Sequence, residues 1–134
     1  MKTFILTTLS TVTLLASNIT VEVKNIASNN GEVQIGLFSS AKDFLKIPKA
    51  YKGASLKADG ELKYTFKDVP DGTYAISIYH DENSNAKIDR NFIGLPVEGY
   101  GLSSGAKAFM GPPKFKDAKF KLSGDKNIAI EMRY

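Results

Sequence analysis

An apolar residue at every second position, in six separate stretches, constrains this chain more than any other feature. Ile19, Val21 and Val23 alternate with Thr20 and Glu22, and Val33, Ile35 and Leu37 with Gln34 and Gly36. Leu62, Tyr64 and Phe66 are spaced by Lys63 and Thr65; Tyr74, Ile76 and Ile78 by Ala75 and Ser77. The last two runs are Ala118, Phe120 and Leu122, spaced by lysines, and Ile128, Ile130 and Met132, spaced by Ala129 and Glu131. Successive side chains of a strand leave the backbone on opposite faces, so a period of two predicts half-buried strands. A seventh, weaker strand is expected around Ala106 to Met110.

Turn signals separate these runs: Asn29-Asn30-Gly31, Asp59-Gly60, Pro70-Asp71-Gly72 and Ser123-Gly124-Asp125. Asn30-Gly31 and Asp59-Gly60 suit turns that need positive φ, where glycine carries no Cβ penalty. Short strands at this spacing predict an all-β fold, an antiparallel two-sheet β-sandwich of about seven strands with one long structured loop. The 134 residues suffice for one domain with a full core and not for two.

Two segments break the alternation. In Ser39 to Ala50, Ser39 or Ser40 is expected to cap a short helical turn through Leu45, with Pro48 ending it. The second segment, Asp81 to Pro113, holds five glycines and three prolines among Phe92, Ile93, Leu95, Val97, Tyr100 and Leu102. A loop this long in a small domain is functional or disordered. Its apolar residues argue against disorder and for packing on the sandwich.

The N-terminus reads as an export signal. Lys2 supplies a positive start, Phe4 to Leu15 is an apolar stretch diluted with threonine, and Ala16-Ser17 are small residues at a cleavage point. The expected organisation is a signal peptide over residues 1–17 and one β-sandwich domain over 18–134, with a periplasmic or secreted destination and no membrane span after cleavage. Cysteine is absent. In an oxidising compartment the core alone must then hold the fold, and thiol catalysis, zinc–thiolate and iron–sulfur sites are excluded. The net charge of +4 comes from scattered lysines with no arginine-rich block, so no nucleic-acid surface is expected. A monomer is expected, with an unknown ligand or an envelope protein as partner.

The stretch DENSNAKIDRN, Asp81 to Asn91, carries the most chemistry. Asp81, Asn83, Asn85 and Asp89 offer side-chain oxygens at positions one, three, five and nine, and Lys87 its carbonyl at seven. This spacing wraps a hard cation such as Ca²⁺. Ala86 stands at six, where the turn calls for glycine, and Phe92 at twelve, where a bidentate glutamate closes the shell. Glu82 or Glu98 would have to supply that carboxylate. So few charged ligands imply weak affinity, roughly 10⁻⁴ to 10⁻³ M. The same residues also suit metal-free Asx-turns.

His80, the one histidine, precedes this loop on the face of Ile76 and Ile78. It reads as a structural ring bonded to backbone or a carboxylate. The alternative is a hydrolase in which His80 is a general base oriented by Asp81, Asp89 or Glu98. Ser103-Ser104 is a poor match to a nucleophile elbow. Among Tyr51, Tyr79, Tyr100 and Phe109, Tyr79 is the aromatic expected on an exposed face, since it points opposite to Ile78.

Three ordered motifs carry a resemblance. They are His80 to Asn91, Gly94 to Ser104 and Gly111 to Phe120, within the run Gly72 to Phe120. They resemble HDxNxNGKxDxN, GxPxEGYGxSN and GPPxFxxAxF of DUF2141, a family of exported bacterial proteins of unknown function. Ala86 and Ser104-Gly105 depart from the family's usual glycine and asparagine. The resemblance implies an immunoglobulin- or transthyretin-like sandwich, similar to collagen-adhesin B-type domains, with the P-x-G-x-Y strand start here as Pro70, Gly72 and Tyr74. It implies no established reaction. The expected function is a non-enzymatic binding or envelope accessory module with a calcium-stabilised loop at 81–91. A hydroxyisourate-hydrolase-like reading fails on the single histidine and the terminal Glu131-Met132-Arg133-Tyr134.

Overall fold

The computed structural model of the protein describes residues 15–82, 99–107 and 111–134. All six alternating runs form strands, the fifth without Ala118, which ends a helical turn. They are β1 (Ala16–Lys24), β2 (Glu32–Phe38), β4 (Lys63–Pro70), β5 (Gly72–Asp81), β7 (Phe120–Leu122) and β8 (Lys126–Glu131). Two further strands are β3 (Lys52–Lys57) and β6 (Tyr100–Leu102), and one helical turn, α1 (Phe115–Ala118), precedes β7. No helix among the described residues is long and apolar enough to cross a membrane.

The strands form two sheets. One has the order β4-β1-β8. The other has the order β3-β2-β5-β6, with β7 also on β5. Apart from Ala118, the apolar residues of the alternating runs meet between them. Ile19, Val21 and Phe66 of the first sheet pack against Ile35, Leu37 and Ile76 of the second. This is the expected sandwich with one correction: β1 pairs β8 in parallel, from Ile19 opposite Lys126 to Lys24 opposite Glu131. The two strands lie more than a hundred residues apart in sequence, so no tight hairpin imposes the antiparallel sense.

Strand β5 is the axis of the larger sheet. Its first residues, Gly72 to Tyr74, pair with β7, and Ser77 to Tyr79 pair with β6. Between them the ladder is bridged by a side chain. The Ile76 N–H donates to Ser103 Oγ at 2.8 Å, and the Ser103 hydroxyl donates to the Ala118 carbonyl at 2.6 Å. Every β5 residue from Tyr74 to Asp81 is buried. Half-burial, expected from the alternation, fails here because the outer face is covered too. Phe38, Phe44, Ala75, Leu102, Ala106 and Ala118 form a second apolar cluster on that face. Phe44 stands edge-on to both Phe38 and Phe115, with ring centroids 5.5 and 5.8 Å away.

Tyr74 ties the start of β5 to the preceding turn. Its hydroxyl donates to the Pro70 carbonyl at 2.6 Å, a corner of the kind that β-sandwiches use to lock a strand start. Burial pushes the Tyr74 phenol above its ordinary value, with Tyr51 and Asp71 adding in the same direction.

Three local expectations are corrected. Ser40 does cap a turn, accepting the Asp43 N–H at 3.3 Å, but Pro48 does not end a helix. It lies in the first turn of a 3-10 helix, Ile47–Lys49, where a proline's missing N–H costs no hydrogen bond. Gly31 takes the expected positive φ, 69°, and a Cβ there would run into the Asp81 carbonyl. Gly60 does not, since its turn closes through its N–H to the Lys57 carbonyl at 3.0 Å. Ala106 and Lys107 are not strand, and residues 108–110 lie outside the described residues; the strand in this excursion is β6. Ala16 and Ser17 sit in β1 opposite Pro70 and Val69.

Candidate functional site

Of the loop residues expected to hold a cation, Asp81 alone is described. It is the last residue of β5, fully buried and opposite Glu32 of β2. Asn83, Asn85, Lys87 and Asp89 lie outside the described residues, as does Glu98. Among the described residues no three His, Asp or Glu side chains converge as a metal site would require.

His80 is fully buried at the end of the inner face of β5. Its Nε2–H donates to the Asn30 carbonyl at 2.6 Å, which fixes the tautomer because a carbonyl can only accept. Nδ1 is then left to accept from the Tyr134 hydroxyl at 2.9 Å. That hydroxyl in turn accepts the Ala27 N–H at 2.9 Å. Glu82 stands 3.6 Å from Nδ1, farther than the tyrosine. Burial raises the Tyr134 phenol above its ordinary value; the Ala27 N–H pulls it down and Glu82 pushes it up. The alternation had placed the ring correctly, but its partners come from the β1–β2 connection and from Tyr134. Each is fifty or more residues away, and no local pattern signals them.

The outer face of the larger sheet holds a cavity of about 280 Å³. Its floor is a row of small residues in register across three strands: Gly53 opposite Gly36, and Gly36 opposite Ser77. One wall is Phe38 with Ile47 and Ala50; the other is Gln34, Ser55 and Tyr79. Tyr79 does face outward, as expected, yet it is only 4 % exposed, so it is no free surface aromatic. Tyr51, by contrast, is 46 % exposed. Ser77 is 8 % exposed, and its hydroxyl has no hydrogen-bond partner among the described residues. The Gln34 amide is oriented from behind. Its Nε2 donates to Glu32 Oε2 at 3.1 Å, and Ser55 Oγ donates to the same oxygen at 3.0 Å.

The cavity was not foreseen. The one hint in the sequence was the glycine in the second alternating run, Gly36, where the outward position of a strand carries no side chain. Nothing local shows that Gly53 and Ser77 fall beside it.

A family model for an uncharacterised protein conserved in bacteria, DUF2141, matches residues 21–131. The chain belongs to the DUF2141 family. No curated protein and no solved structure matches it. Within this DUF2141 chain, Ser104 adopts the left-handed conformation, φ 58° and ψ 21°. That geometry suits the asparagine typical of the motif, since asparagine tolerates it better than most residues. Here the Ser104 hydroxyl donates to the Lys119 carbonyl at 3.0 Å and ties the turn to the segment before β7.

Proposed function

We propose that this DUF2141 protein is an exported, non-catalytic binding module whose ligand site is the outer-face cavity of the larger sheet. The Gly53–Gly36–Ser77 row carries the reading. Three adjacent strands present almost no side chain at one level of a face that is otherwise packed by aromatic rings. Concave, mainly apolar sites with a few polar groups are where small ligands bind. The non-catalytic part rests on His80, whose two ring nitrogens are both engaged inside the fold, which leaves neither to take a substrate proton. Export rests on the charged start and apolar stretch of residues 1–17 and on the lack of cysteine.

Fluorescence titration with naphthyl dyes tests the site. Either the neutral N-phenyl-1-naphthylamine or the anionic anilinonaphthalene sulfonate is expected to bind saturably and to be displaced from Gly53→Val. If neither dye saturates, the cavity is not a binding site.

Calcium at the 81–91 loop belongs to the same proposal, supported by the alternating oxygens of Asp81, Asn83, Asn85 and Asp89. Calorimetry is expected to show one weak Ca²⁺ site that Asp89→Ala abolishes. Near 10 mM Ca²⁺ the fold should gain about 1–3 kcal/mol. Titration without heat, together with an unmoved Tm at that concentration, would sink the calcium assignment.

A further inference from the structure

We infer that the outer-face cavity takes an uncharged molecule with an apolar body and one hydrogen-bond donor, the donor being received by Ser77 and Gln34. The inference rests on the binding reading above and names the ligand's chemistry. Four observations carry it.

The first is the unpartnered hydroxyl. Ser77 is more than nine-tenths buried, and its Oγ bonds to none of the described residues. A buried hydroxyl without a partner is destabilising, so a site that leaves one open to a cavity is suited to a ligand that completes it. The second is the orientation of Gln34. With Nε2 given to Glu32, its amide oxygen is left as an acceptor on the same wall. Ser77 and Gln34 together therefore match a donor on the ligand.

The third is charge. Among the described residues no Lys, Arg, Asp or Glu lines the cavity. Behind its polar wall stands the Glu32 carboxylate, held there by Gln34 and Ser55. An anionic ligand would approach that carboxylate, and the lysine opposite it in the register, Lys57, is not among the described residues that line the cavity. The fourth is shape. Phe38 and the Ile47–Ala50 turn face the glycine floor across a space worth about nine water molecules of liquid volume. That is room for a fused or paired ring or a short chain.

Gly53 gives a way to close the cavity without disturbing the core. A Cβ there would meet nothing nearer than the Ile35 carbonyl, at 3.5 Å, and valine favours a strand. Gly36 is unsuitable, because its Cβ would strike the Phe38 ring at 2.8 Å.

The test compares two dyes on the wild type, Gly53→Val and Ser77→Ala, with Tm and near-ultraviolet circular dichroism confirming each fold. N-Phenyl-1-naphthylamine is uncharged, apolar and carries one N–H; anilinonaphthalene sulfonate adds a negative charge. The neutral dye is expected to bind one-to-one and at least about tenfold more tightly than the anionic one, against the attraction that a chain of net charge +4 offers an anion. Gly53→Val should weaken the neutral dye about tenfold or more while keeping its Tm. Ser77→Ala should weaken it about three- to tenfold with an unchanged or higher Tm, since the open hydroxyl is gone. Preference for the anionic dye, or no loss in Ser77→Ala, would overturn this ligand class and leave the binding module standing. Failure of both dyes would remove both. A dimer that Gly53→Val dissociates would mean that a second copy covers this face, and the small-molecule assignment would fall.

Discussion

His80→Ala is expected to lower the unfolding free energy by about 2–4 kcal/mol, a fall in Tm of roughly 10 °C at this chain length. The ring is fully buried, so its removal opens a cavity at the end of the core. It also strips the Asn30 carbonyl and the Tyr134 hydroxyl of their partner. Those two groups sit at the surface side of the ring and can turn to water, which keeps the estimate below that of a wholly enclosed pair. Tyr134→Phe should cost about 1 kcal/mol, and its effect should shrink in the His80→Ala background to the share that comes from the Ala27 N–H, which the same hydroxyl accepts. Urea denaturation of the four proteins measures this. A loss below about 1 kcal/mol in His80→Ala would contradict the structural role and reopen a chemical one.

Ser103→Ala should cost about 2–4 kcal/mol, far more than removing one hydroxyl from a surface. Ser103 is 1 % exposed, and its side chain does the work of a missing strand residue. It receives the Ile76 N–H and reaches the Ala118 carbonyl in the gap between β6 and β7 along β5. Alanine leaves both backbone groups unpaired where water has little access. The loss should be local as well as global. Hydrogen exchange at the Ile76 amide is expected to quicken more than at the Val21 amide on the opposite sheet. Equal protection of Ile76 in wild type and variant would show that the hydroxyl is not its partner. Ser103, a poor match to a nucleophile, thus ties β5 to the end of α1.

Much of the fold was legible because alternation reports a local property. Ile19 to Val23, Val33 to Leu37 and Tyr74 to Ile78 each present a continuous apolar edge, and all three lie in strands as expected. Strand β3 escaped notice because Gly53, Ser55 and two lysines dilute its weak pattern of Ala54 and Leu56. Strand β6 is three residues long with a glycine at its centre, below what periodicity can resolve. That glycine is needed, since a Cβ on Gly101 would meet Ile130 Cγ2 at 2.7 Å. The buried state of Tyr79 was missed for another reason. Alternation says which side of the sheet a residue faces, not whether that side is covered.

The sequence by itself determined the β class, the two-residue phase of six strands, the family and the inward placement of His80. These follow from side-chain order along a pleated backbone and from three linear motifs. Only the tertiary structure decided that the outer face of the larger sheet is buried by the Phe38–Phe44–Phe115 cluster. It also decided that Gly53, Gly36 and Ser77 share one row, and that Tyr134 meets His80. Each of these depends on strand register and chain return across tens of residues. A shift of one residue would turn Gly36 and Ser77 toward the core and leave no cavity.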